Sequence, residues 1–156
     1  MKLTVQIQLL PDGNQARALL ATMERFNDAA TWLAGEAFQA RTANKIRLQR
    51  EHYRTLRAQF GLSAQMAIRC IAQVCEAYKR DRSRRPKFRA RAAMPYDQRI
   101  LSFKGLDQVS LLTLEGRLRI PFVLGAYQRE SFGFAKGQVD LVRRKDGRWF
   151  LLVSVT

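Results

Sequence analysis

Residues 79–91 read Lys-Arg-Asp-Arg-Ser-Arg-Arg-Pro-Lys-Phe-Arg-Ala-Arg. They set Lys79, Arg80, Arg82, Arg84, Arg85, Lys87, Arg89 and Arg91 against one carboxylate, Asp81. This run carries about half of the chain's net charge of +15. Cations packed this closely repel one another unless a polyanion neutralises them. Lys and Arg bound to phosphates release counterions, and that release supplies most of the affinity for nucleic acid. Arg predominates, and guanidinium grips phosphate in a bidentate way and stacks on bases, whereas ammonium acts as a point charge. Phe88 lies within the run, and arginines interleaved with aromatics are the ingredients of a base-stacking groove. The plain alternative is a solvated, flexible linker.

Other chemistry is poorly represented. The 13 carboxylates are scattered, and no pair has the setting of an acid–base couple or a two-metal nuclease site. Asp140 is a lone acid in a strand pattern, and Asp12 and Asp146 sit in turns. His52 stands among charges on a helix, as a surface or RNA-facing side chain. Cys70 and Cys75, five residues apart in an apolar helical pattern, read as buried small hydrophobes. No phosphate-cradling Gly loop, nucleophile elbow or zinc knuckle is present. No catalytic or metal-ligating residue is therefore expected in these 156 residues.

The elements that must position the cations follow from periodicity. Residues 2–10 alternate, with Leu3, Val5, Ile7 and Leu9 on one face, as a half-buried strand does. Pro11-Asp12-Gly13 breaks it, and Asn14 is the expected N-cap of a helix running to about residue 40. Leu19, Met23, Phe26, Ala30, Leu33 and Ala37 form that helix's apolar stripe. A second helix follows Asn44, with Arg47, Arg50 and Arg54 on its polar faces, and Gly61 ends it. Ser63 caps a third, lined by Ala67, Ile71, Val74 and Tyr78. After the basic run come strands at 99–104, 108–114, 117–123, 138–144 and 148–156. Glu115-Gly116 and Lys145-Asp146-Gly147 read as hairpin turns. Pro121 implies an edge strand or a bulge. Phe103 and Phe122 fall on apolar strand faces, while Tyr96, in a Pro-Tyr loop, could stack a base or pack. Trp149 and Phe150 point to opposite sides of one strand, so at least one is expected to be an exposed interface residue.

A lone N-terminal strand must pair with the later ones. The expected class is α+β: an antiparallel β-barrel of one N-terminal strand and about five C-terminal strands, with an inserted three-helix bundle. The barrel takes residues 1–13 and 92–156. The helical part takes 14–91 and ends in the basic run as a hinge. No stretch is long and apolar enough to span a membrane, and the N-terminus has no signal-peptide core. An intracellular chain is expected.

In this order the segments resemble the N-terminal half of the TnpB/OrfB family of bacterial insertion sequences, related to type V CRISPR nucleases. The likeness extends over essentially the whole chain. Ile7-Gln8-Leu9-Leu10-Pro11 with Gln15 and Leu19 is similar to the family's strand, Pro turn and first helix. Phe26-Asn27 stands where the family has Tyr-Asn. Leu62-Ser63-Ala64-Gln65 and Ala77-Tyr78-Lys79 resemble its third helix. Pro86-Lys87-Phe88-Arg89 matches the Pro-x-Phe-Lys/Arg signature. Ile120-Pro121 with Gly125 resembles the Leu-Pro-x-x-Gly segment, and Gly147-Arg148-Trp149-Phe150 the last strands before the nuclease domain.

The resemblance implies an oligonucleotide-binding-like wedge barrel carrying a helical recognition domain, in a prokaryotic, cytoplasmic, nucleoid-associated protein. Its implied partners are a guide RNA, the guide–target heteroduplex and a short duplex motif beside the target. Gln65 and Arg69 are the residues expected to read that motif, since Gln suits adenine and Arg suits guanine. The family's RuvC-like nuclease domain, with its divalent metal, would begin just after Thr156, and its zinc-binding cysteines lie farther on. RNA-guided DNA cleavage therefore cannot reside in these residues, although the chain could contact such a nuclease domain. In this reading the helices and barrel wall a channel, and the hinge cations contact phosphates. The alternative is a nuclease-free DNA- or RNA-binding repressor or accessory protein on the same scaffold.

Overall fold

The computed structural model describes residues 3–125 and 136–155. In chain order the elements are β1 (Leu3–Leu9), α1 (Gly13–Ala40), α2 (Lys45–Ala58), α3 (Ala64–Arg80), β2 (Met94–Tyr96), β3 (Leu101–Lys104), β4 (Gln108–Thr113), β5 (Gly116–Val123), β6 (Lys136–Arg143) and β7 (Trp149–Val155). The class is α+β. Two compact units divide the chain, Met1–Ala21 with Ala93–Thr156, and Thr22–Ala92. The first division falls inside α1, whereas periodicity alone set it at residue 13. Lys2 and Thr156, at the ends of the expected strands, lie outside the described residues.

The first unit is a nearly closed, barrel-like antiparallel sheet ordered β2-β6-β7-β1-β5-β4-β3. β1 is central: it pairs with β7 from Leu3↔Val155 to Leu9↔Trp149, and with β5 at Leu9↔Phe122. Val5, Ile7 and Leu9 are buried, as their alternation requires. The Tyr96 hydroxyl on β2, at one end of the order, donates to the Leu112 carbonyl on β4, next to the other end, at 2.8 Å.

Several local expectations are corrected. Seven strands are described rather than about six, because Met94-Pro95-Tyr96 pairs with β6. Tyr96 is therefore not a loop residue; it is wholly buried, and its hydroxyl is satisfied. α1 starts one residue before Asn14, at Gly13. Asp12 caps it, accepting from the Gln15 N–H at 2.8 Å while Gln15 Oε1 accepts from the Asp12 N–H at 3.0 Å, a reciprocal capping box. The β4–β5 turn is Leu114-Glu115, one residue earlier than expected, since Thr113 pairs with Gly116 and Gly116 takes φ 104°. β5 is an interior strand despite Pro121. That proline stands where pairing passes from β4, at Gln108, to β1, at Leu9, so its missing N–H disrupts neither ladder. Trp149 and Phe150 are both buried. Phe150 faces outward but is roofed by the Arg144 and Arg148 guanidiniums, 4.8 and 5.5 Å from its ring centre.

In the second unit Asn44 and Ser63 cap α2 and α3, accepting from the N–H groups of Arg47 and Met66. Gly61, with φ 68°, follows α2 and lets the Leu62 N–H reach the Leu56 carbonyl at 3.2 Å. Met23, Phe26, Leu33, Leu56, Met66, Cys70 and Val74 form the core. Trp32 of α1 packs on His52 of α2, edge-on at 5.4 Å, and on Phe60 at 5.5 Å. His52 is thus half-buried packing rather than a surface group.

Candidate nucleic-acid interface

Four residues per step is close to one helical turn, so Asn27, Thr31 and Gly35 share one face of α1. Along that face the chain beyond α3 runs in the opposite direction. The Arg85 guanidinium lies over Gly35 so closely that an added Cβ would stand 2.6 Å from its Nη2. Thr31 Oγ1 accepts from the Phe88 N–H and donates to the Phe88 carbonyl, each at 3.1 Å. Asn27 Nδ2 donates to the carbonyls of Ala90 and Ala92 at 3.1 and 2.9 Å. Two acceptors on that one nitrogen fix which way the amide points. Glu24, one turn earlier, meets Arg91 at 3.7 Å.

The basic segment is therefore a strap laid on α1. Its backbone polar groups turn inward to Asn27 and Thr31, and half-buried Phe88 anchors it. The cations take the remaining directions: Lys79, Arg80, Arg82, Arg84, Arg85, Lys87, Arg89 and Arg91 are all exposed. Lys79 and Arg80 close the last turn of α3, where positive charge offsets the helix dipole. Asp81 does little to neutralise the run. Hydrogen bonds from Ser83 hold its carboxyl below the usual range, and its approach to Arg84 is an exposed 3.8 Å.

Arg47, Arg50 and Arg54 form a second exposed stripe, spaced three and four along α2. Arg47 pairs with Glu51 at 2.6 Å, and that hydrogen bond holds the Glu51 carboxyl below its ordinary value. Arg57 is occupied with the Leu62 carbonyl at 2.9 Å and the Tyr53 hydroxyl at 3.3 Å. Gln65 and Arg69, one turn apart near the start of α3, are both half-buried. They stand roughly 15–20 Å along α3 from Lys79 and Arg80, where the basic run begins. The sequence-derived residues thus fall into three groups, of which the strap is the continuous one.

Asn27, Thr31 and Gly35 escaped the sequence reading as positioning residues. Their signal is small or polar side chains at i, i+4 and i+8 beside the apolar stripe of an amphipathic helix. In the sheet unit Phe103 and Phe122 pack edge to face at 5.8 Å, with Phe122 buried. Asp140, half-buried on β6, accepts from Gln138 Nε2 at 2.9 Å. Burial pushes the Cys70 thiol up to about 12. Among the described residues no three His, Cys, Asp or Glu side chains converge as metal ligands. Likewise, no helix among them is long and apolar enough to cross a membrane. The chain matches no protein-family model, and no curated protein matches it in sequence.

Proposed function

We propose that this chain is a nucleic-acid-binding module, the guide-RNA- and DNA-holding portion of a TnpB-like RNA-guided nuclease. The observation carrying this reading is the strap: a backbone fixed by Asn27 and Thr31 with its cations exposed. A strap whose backbone is already ordered presents its cations to a phosphate backbone with less backbone entropy to lose on binding. Such contacts position a polymer without reading its bases. The reading takes the sheet unit as an oligonucleotide-binding-like wedge and the three helices between β1 and β2 as its inserted recognition bundle. Segment order supports this, together with the Pro86-Lys87-Phe88-Arg89 signature. Arg47, Arg50 and Arg54 extend the phosphate-binding surface, and Gln65 with Arg69 read the adjacent duplex motif.

The test is a filter-binding titration of the chain with structured RNA between low and physiological salt. With about five to eight phosphates neutralised, affinity should fall by several orders of magnitude over that range. An affinity independent of salt sinks the reading.

A further inference from the structure

The C-terminal ends of α1 and α3 enclose an opening of about 370 Å³ lined by Phe38, Arg41, Tyr78 and Arg82. That volume falls in the range of small-ligand clefts, roughly 300 Å³ upward. Tyr78 is buried and meets Phe38 edge-on, with ring centres 6.2 Å apart. Phe38 is 36% exposed. Arg82 lies over the Tyr78 ring at 5.8 Å. Arg41 follows α1 with φ 52°, a conformation usually left to glycine at a helix end. Among the described residues neither guanidinium is paired with a carboxylate.

We infer that this opening takes up one unstacked nucleobase of a single-stranded or bulged nucleic acid, against the Phe38 ring, with Arg41 and Arg82 on the flanking phosphates. The inference rests on the nucleic-acid reading and adds a strand preference to it. An exposed aromatic face offers stacking to any base, and guanidiniums beside it supply the anion contacts. Arg82 is also the first cation of the strap beyond α3, so a strand held here continues onto Arg84, Lys87 and Arg89. Both guanidiniums also sit at helix C-termini, whose partial negative charge they offset. That role needs no exposed ring, so Phe38 decides between the two.

The experiment uses the whole chain and a single-stranded RNA of about a dozen nucleotides carrying 2-aminopurine, beside a duplex of equal length. Wild type should raise the 2-aminopurine emission on binding, as the base leaves its stacked neighbours. Phe38→Ala should abolish that change and weaken single-strand binding about tenfold, leaving duplex affinity unchanged. Phe38→Tyr should restore both signals. Phe38→Leu, which keeps apolar volume without the ring, should behave as alanine does and guards against a folding defect. Salt-dependent binding that is indifferent to Phe38→Ala and Phe38→Leu overturns the inference and leaves the nucleic-acid reading standing. Failure of wild type to bind either polymer removes both.

Discussion

The Thr31 hydroxyl on α1 grips both backbone groups of Phe88, fifty-seven residues away, with two 3.1 Å hydrogen bonds. One oxygen thereby takes the place of a strand partner for a segment that has none. Valine has the same shape as threonine and removes both bonds. Because Phe88 is only half-buried, water can partly replace them, and the expected loss is about 1 kcal/mol. The sharper readout is local: Thr31→Val should speed tryptic cleavage after Lys87, Arg89 and Arg91 before any global unfolding. An unchanged cleavage pattern would mean that Thr31 does not hold the strap.

Replacing Arg84, Arg85 and Lys87 together by alanine removes exposed charge and leaves the Asn27 and Thr31 contacts in place. The slope of log affinity against log salt should become shallower by about 2 on single-stranded RNA. Sequence preference should not move, because phosphate contacts carry no base information. A slope unchanged within error would place the binding surface elsewhere.

The sequence disclosed these elements unevenly, and the reasons are physical. The cap at Ser63 and the stripe of α1 were legible because short-range hydrogen bonds and period decide them. β2 was not, since three residues carry no period, and Met94–Tyr96 exists as a strand only through its pairing with β6. Tyr96 and Phe150 illustrate the same limit. Strand alternation assigns a side chain to a face, but only tertiary contacts decide whether that face meets Leu112 or a roof of arginines. The basic run was visible at once as charge. Its strap geometry depends on α1 residues about sixty positions away, which no local pattern reveals.

Alkaline pH should destabilise the fold. Burial pushes the Cys70 thiol up to about 12 and raises Cys75 and the Tyr96 hydroxyl as well. These groups stay neutral in the folded chain, while in the unfolded chain the thiols ionise near 8.5 and the phenol near 10. Stability is therefore full below about pH 8 and declines as pH rises from there toward the folded values. Cys70, held neutral at pH 10, should cost about 1–2 kcal/mol relative to pH 7, and Cys75 acts in the same direction. Urea denaturation at the two pH values measures this, and equal midpoints would show that neither thiol is shielded. Cys70 should also resist thiol reagents until the chain unfolds.

Gly35 offers the last test, because two effects of one methyl group oppose each other there. Alanine in the interior of a long helix is favoured over glycine by about 1 kcal/mol. Its Cβ, however, would stand 2.6 Å from Arg85 Nη2 and 2.9 Å from Arg85 Cζ. Those atoms end a flexible, exposed side chain, so the guanidinium can swing into solvent at little expense. Helix propensity should win, and Gly35→Ala should raise the melting temperature by up to about 2–4 °C. Nucleic-acid affinity should change little, since the displaced arginine keeps its charge at the surface. A leucine at position 35 exceeds what movement of Arg85 can accommodate and should lower the melting temperature. If alanine lowers it by several degrees as well, the strap's backbone, and not the end of Arg85, closes over Gly35.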